Sequence, residues 1–235
     1  MNMVNKFSAL LRQANFALLP GTCLLCRRAS HRTRDLCIEC EQALPWLGNH
    51  CELCAQPLPF SNRCGECLKK PPAFDSCVSA FEYKFPINQL VTGFKYNRKL
   101  EYGQLLAALW LDYCRPSSQQ LPDLIVPVPL HWRRAFTRSF NQAELLSRQL
   151  ANELGLDSCN VVCRHRATAK QQGLSAAARR KNLKHAFSIT QNIEGLHLAF
   201  VDDVVTTGST AEQLALQCKR EGARRVDIWS MARTP

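Results

Sequence analysis

The chain has 235 residues, 46% of them hydrophobic and 21% charged, which is ordinary for a globular protein of one large or two small domains. No apolar run approaches the ~20 residues that cross a bilayer, which excludes a transmembrane helix. The net charge is +11, with nine Lys/Arg against six Asp/Glu in residues 1–77 and twenty-one against thirteen thereafter; it favours anionic partners, either phosphorylated metabolites or nucleic acid.

Residues 1–20 predict a short amphipathic helix packed on the body. Its apolar stretches are too short for a secretory leader and are broken by Lys6, Arg12 and Gln13, so the expected location is cytoplasmic. Eight of the thirteen cysteines then fall in four C-x-x-C pairs: Cys23/Cys26, Cys37/Cys40, Cys51/Cys54 and Cys64/Cys67. In a secreted chain so many cysteines would suggest disulfides, but this spacing argues for metal in a reducing compartment. Each knuckle presents two thiolates on one turn, and two knuckles complete a tetrahedral zinc site. Eight ligands make two sites. Consecutive pairing is the economical arrangement, and an interleaved one stays open. Four protein ligands close each site to water, so the zinc is expected to be structural. Residues 21–70 hold few large apolar side chains and need that metal to fold. Arg27, Arg28, Arg32, Arg34 and Arg63, with Trp46 and Phe60, would suit a single nucleic-acid strand; a solvated loop with core aromatics explains them equally well.

The run KKPPA at residues 69–73 predicts an extended boundary, separating a metal module at 21–70 from a second domain at 74–235. Residues 77–85 read as strand or hairpin. Residues 87–96 and 102–113 read as helices with apolar stripes. Lys95 lies between Phe94 and Tyr96, where it either reaches an anion or snorkels past two core rings. Residues 124–128 form an apolar strand. A basic loop with Arg133 and Arg138 follows, then an amphipathic helix over 140–154. Residues 159–163 read as a short strand. Residues 158–193 contain no Asp or Glu and seven Lys/Arg, the composition of a mobile loop over an anionic ligand or of a solvated charge run.

The stretch on which the chain is organised is LAFVDDVVTTGSTA, residues 198–211. An apolar strand ends in Asp202 and Asp203. Val204 and Val205 lead into Thr206, Thr207, Gly208, Ser209 and Thr210, and a helical pattern follows to residue 220. Free N–H groups at a helix start, with hydroxyls around them, suit a phosphate. The adjacent carboxylates repel phosphate but suit sugar hydroxyls or hydrated Mg²⁺. A last strand spans 225–231. The β–α–β–loop–β–α–β pattern predicts a parallel sheet with helices on both faces and its ligand beyond the carboxyl ends of the strands.

VDDVVTTGST resembles the phosphoribosyl-pyrophosphate (PRPP) signature of type I phosphoribosyltransferases. From Cys23 onward the whole chain resembles the ComF/GntX family. The resemblance rests on the four knuckles and on Arg133, Arg138, Asn141 and Gln142 around the Phe-Asn-Gln motif. It continues in Arg166, Thr168, Gln171, Leu174, Arg179, Asn182 and Phe187, and in the PRPP-like stretch. Ser139 stands where that family usually has glycine. The resemblance implies an α/β, type I phosphoribosyltransferase-like parallel sheet flanked by helices, preceded by a small double zinc ribbon. It further implies PRPP bound with Mg²⁺ on residues 202–210. Arg133, Arg138, Asn141, Gln142, Arg166, Gln171, Arg179 and Asn182 would serve as pyrophosphate or flexible-loop residues. A role in natural competence and the use of external DNA is implied too, with single-stranded DNA and the DNA-uptake machinery as partners.

Two readings follow. In one the protein is a phosphoribosyltransferase, whose acceptor nitrogen displaces pyrophosphate from C1 with catalysis by positioning and charge stabilisation. In the other it is a non-catalytic DNA-handling protein that keeps the PRPP fold as ligand sensor or scaffold.

Overall fold

A computed structural model describes residues 21–60, 62–130, 141–164 and 187–235. The helix expected over residues 1–20, the basic loop at 131–140 and residues 165–186 lie outside the described residues. By packing, the chain forms two compact units, Met1–Pro45 and Trp46–Pro235.

The first unit is a zinc-ribbon knot. At its first knuckle the Cys23 N–H donates to Arg28 O at 2.8 Å and the Arg27 N–H donates to Cys23 O at 2.9 Å. Arg27 adopts φ 65°, a left-handed value that a tight knuckle demands of its fifth residue. The second knuckle opens helix α1, Ile38–Gln42, with Cys37 as its N-cap. Leu36 and Cys23 are buried.

The second unit begins with the same knot. The Cys51 N–H donates to Gln56 O at 2.8 Å, the Ala55 N–H donates to Cys51 O at 2.9 Å, and Ala55 has φ 57°. Cys64 caps helix α2, Gly65–Lys69. This ribbon is bound into the sheet. The Leu47 N–H donates to Ala80 O at 2.8 Å, and Trp46 packs between Phe81 and Tyr113 at ring separations of 4.6 and 5.0 Å. Trp46 therefore serves the core, covering the outer edge of the strand that holds Phe81, whereas Phe60 is 81% exposed. Residues 69–73 run against the body: the Ala73 N–H donates to Glu212 Oε2 at 2.8 Å, and Phe74 is buried.

The sheet is assembled from β1 (Ser76–Glu82), β2 (Leu124–Pro127), β5 (His197–Val205) and β6 (Arg225–Arg233), all parallel in the spatial order β1-β6-β5-β2. Successive side chains alternate between faces. Leu198, Phe200, Val226 and Ile228 join one core, shared with Leu214 and Ala215 of helix α6, Ser209–Arg220. Trp229 points the other way and packs on Trp110 at 5.0 Å. That face carries α3 (Ile87–Tyr96), α4 (Leu100–Cys114) and α5 (Gln142–Leu154). Helices α3 and α4 cross closely because a Cβ on Gly93 would sit 2.7 Å from the Tyr102 ring, and one on Gly103 2.6 Å from Phe94. This crossing sets Lys95, at the end of α3.

Two expectations change. Residues 159–163 do not supply a strand to the main sheet. The chain bridges the β2 edge briefly around Ser158, with Asp157 and Cys159 bonded to Ile125, then forms a separate antiparallel pair, β3 (Val162–Arg164) with β4 (Phe187–Ile189). Three-residue strands return on each other more readily than they extend a parallel sheet, which needs a long crossover. Strand β5 also runs four residues past the expected end at Val201. Its β6 partners continue, pairing Asp202 with Ser230, Val204 with Ala232 and Val205 with Arg233. Among the described residues, no helix is long and apolar enough to cross a membrane.

Candidate functional site: twin acids, a glycine turn and two thiolate clusters

Strand β2 stops opposite Val201, so Asp202 to Val205 form a part of β5 with no β2 neighbour. The twin acids therefore lie within a strand, at its carboxyl end, where open α/β sheets leave a crevice. Asp203 is 7% exposed, and its carboxylate accepts from Lys95 Nζ at 2.7 Å. Asp202 is half-buried, and its Oδ1 accepts from the Asp203 N–H at 2.8 Å. Burial pushes the Asp202 carboxyl up, and the neighbouring Asp203 charge adds to this; against the pull of Lys95 it reaches about 7. Asp203 thus works as the paired anion, and Asp202 as the carboxyl whose charge is poised near neutrality.

The turn follows at once. Val205 is buried, Thr206 and Thr207 are exposed, and Val204, Gly208, Ser209 and Thr210 are half-buried. Gly208 is the N-cap of α6 with φ 69°, a value a side chain would strain, though a Cβ there would meet no atom within 4 Å. Thr207 Oγ1 lies 2.8 Å from Ser209 Oγ and accepts from the Ser209 N–H at 3.4 Å. This 12-residue helix thus begins with a glycine turn, and two hydroxyls stand over its first N–H groups.

Of the other candidates, Asn141 and Gln142 stand at the start of α5. Asn141 caps the helix, accepting from the Ala143 N–H at 3.1 Å, and its Nδ2 donates to Val128 O at 3.4 Å. Gln142 is buried and donates through Nε2 to Lys95 O at 3.3 Å; its Oε1 has no partner among the described residues. Both therefore link the end of β2 to Lys95 and, through it, to Asp203. Arg133, Arg138, Arg166, Gln171, Arg179 and Asn182 lie outside the described residues.

Two residues that matter here were not among the sequence candidates. For Lys95 the sequence offers a ligand anion or two core rings; the anion it meets is Asp203, and that place depends on the α3–α4 crossing. Arg233, the last residue of β6, is 7% exposed. It donates to Val205 O at 3.3 Å, to Thr206 O, and through Nε to Cys54 O at 3.0 Å. The one signal for it was an arginine closing an apolar final strand next to the acid-bearing one.

The thiols form two separate sets, Cys23, Cys26, Cys37 and Cys40, and Cys51, Cys54, Cys64 and Cys67, each with sulfurs within 4.8 Å of one another. Pairing is therefore consecutive. Cys26 and Cys37 Sγ lie 3.7 Å apart, as do Cys54 and Cys64 Sγ. That matches the edge of a tetrahedron of sulfurs about 2.3 Å from a zinc ion. Burial works to raise the Cys23 and Cys51 thiols, but surrounding backbone N–H groups outweigh it and bring each down to about 6. One thiolate per cluster is thus favoured near neutral pH, while burial and the neighbouring sulfurs hold Cys40 and Cys67 up, protons that metal binding would displace.

A parallel sheet with acids and a glycine turn at its carboxyl end, in a chain that also carries two Cys₄ clusters, defines an α/β protein with a double zinc ribbon. The family model described as "Double zinc ribbon domain" matches residues 16–68. The chain is 42% identical over 224 residues to "DNA utilization protein YhgH" of Salmonella typhimurium, covering 92% of this chain and 98% of the relative. It is 35% identical to "Competence protein F" of Haemophilus influenzae, covering 90% and 96%. Among solved structures, a purine phosphoribosyltransferase from Pyrococcus horikoshii aligns with 63% of this chain and 82% of its own at 15% identity and a TM-score of 0.31. The chain belongs to the ComF/GntX family of competence and DNA-utilisation proteins.

Proposed function

We propose that the protein binds PRPP, or a related ribose phosphate, in the service of DNA utilisation. The observation that carries this reading is the sequence of groups along one strand end. Two carboxylates, one poised near neutrality, are followed within six residues by a left-handed glycine that opens a helix. The 5′-phosphate would rest on the N–H groups and hydroxyls of Thr206 to Thr210. The ribose hydroxyls would face Asp202 and Asp203. Those carboxylates are hard oxygen donors of the kind that hold hydrated Mg²⁺, which would neutralise the pyrophosphate of the ligand. Lys95 pairs with Asp203 and limits the net negative charge that the ligand meets. If the site transfers the phosphoribosyl group, the C1–oxygen bond to pyrophosphate breaks and a bond to an acceptor nitrogen forms, with pyrophosphate as leaving group.

Isothermal titration with PRPP and Mg²⁺ tests this reading. The wild type should bind, and Asp202→Asn/Asp203→Asn should lose at least about tenfold in affinity. Equal heats for both proteins would remove the assignment.

A second reading, single-stranded DNA binding with the PRPP fold as sensor or scaffold, is favoured by one observation. Seven Lys/Arg and no acid occupy residues 158–193 of a chain whose relatives are named for DNA utilisation. Oligonucleotide affinity should then fall steeply as salt rises. Affinity that stays flat with salt, or none at all, counts against it.

A further inference from the structure

The second zinc ribbon and the phosphate turn are joined by one side chain. Arg233 stands opposite Val205 in the β5–β6 register, at the carboxyl end of the sheet. Its Nη1 donates to Val205 O at 3.3 Å, to Thr206 O, and to Thr234 O at 2.9 Å. Its Nε donates in the other direction, to Cys54 O at 3.0 Å. One planar guanidinium thus holds the backbone of a zinc-ligand knuckle and the backbone that leads into the turn. A guanidinium cannot shed its proton, and among the described residues no carboxylate pairs with Arg233. Carbonyl dipoles hold it directly. The same two elements wall a cleft of about 730 Å³, lined by Lys69, Pro71, Phe74, Thr207, Ser209 and Arg233 among others.

We propose that Arg233 is a positioning residue that couples metal loading of the second ribbon to the geometry of the phosphate turn. With zinc on Cys51, Cys54, Cys64 and Cys67, the Cys54 carbonyl is held in place. Arg233 then has a fixed anchor from which to set the Val205 and Thr206 carbonyls, and with them the N–H groups of Thr207 to Ser209. Without that metal the knuckle loosens, and the anchor is lost. The proposal rests on the reading that this turn takes the 5′-phosphate, and it adds that the ribbon prepares the turn for it.

The test uses the full chain in three forms: wild type, Arg233→Met, which keeps bulk but removes the donors, and Arg233→Lys. Zinc content is read by elemental analysis, amide exchange by mass spectrometry over residues 204–210, and PRPP affinity by titration. Arg233→Met should keep two zinc ions per chain, one for each thiolate cluster. It should nevertheless exchange faster in 204–210 and bind PRPP about tenfold more weakly. Arg233→Lys should recover part of both losses. Cys64→Ser, which empties the second ribbon, should speed exchange in 204–210 in the wild type but add little in the Arg233→Met background, because the two changes remove one connection. Arg233→Met with two zinc ions and unchanged exchange in 204–210 overturns the coupling, whether or not Cys64→Ser folds. A wild type that binds no PRPP, yet shows the zinc-dependent and Arg233-dependent exchange, would refute the ligand and leave the coupling standing.

Discussion

The two zinc ribbons are nearly the same object made twice. Cys23 and Cys51 accept the same backbone closure at 2.9 Å, Arg27 and Ala55 take the same left-handed conformation, and Cys37 and Cys64 both cap a five-residue helix. Their surroundings differ. The first ribbon closes on itself, with Arg32 and Arg34 both on Glu41. The second is built into the sheet unit through Trp46, Leu47 and Arg233, which ties one of its ligand knuckles to the backbone leading into the Thr206–Thr210 turn. The same metal knot thus serves two purposes. In one unit it replaces a core that a short segment cannot build. In the other it also walls the cleft beside the Thr206–Thr210 turn.

The sharpest way to break that contrast is to remove one metal at a time. Cys23→Ser/Cys26→Ser and Cys51→Ser/Cys54→Ser should each leave one zinc ion per chain. Structural zinc in such knots is worth on the order of 10 kcal/mol, so each double variant should unfold its own ribbon. Only the second should lower the thermal midpoint of the sheet unit and weaken ligand binding. Equal effects of the two variants on the sheet would erase the distinction.

A smaller effect sharpens the account of the acids. The Asp202 carboxyl titrates at about 7 in the folded protein, against about 3.9 when unfolded. Between those values the folded state binds the extra proton. The contribution to stability is therefore greatest at low pH, falls as pH rises through this window, and levels off above about 7. Asp202→Asn should be more stable than the wild type, with a gap in thermal midpoint that widens from about pH 5.5 to about pH 8 and reaches a few degrees. A gap that stays constant over that range would mean Asp202 is ionised throughout. In Lys95→Met, which removes the opposing cation, Asp202 should titrate higher still.

The smallest expected effect is at the turn. Gly208→Ala meets no atom, so its cost is the left-handed backbone alone, about 1 kcal/mol. Its thermal midpoint should drop by a few degrees while zinc content stays at two.

Local features were legible in the sequence. The metal knots were legible because their ligands are close in the chain and the spacing is itself the geometry. The strand, acids and glycine turn were legible for the same reason. Zinc pairing stayed open until the thiols were seen in two separate sets, because spacing alone permits interleaving. The lengths of β5 and β6 were underestimated, since Asp202 and Arg233 break the apolar pattern and stay in the sheet only because they pair across it. Lys95 and Arg233 act over long sequence separations, through a helix crossing and a neighbouring ribbon, and no local pattern records either contact.

The central claim is that a phosphate sits on the turn from Thr206 to Thr210, and ³¹P NMR addresses it most directly. PRPP titrated with the zinc-loaded chain and Mg²⁺ should show its 5′-phosphate resonance shift and broaden, and Gly208→Ala should reduce that change. A 5′-phosphate signal left unmoved by excess wild-type protein would contradict the account.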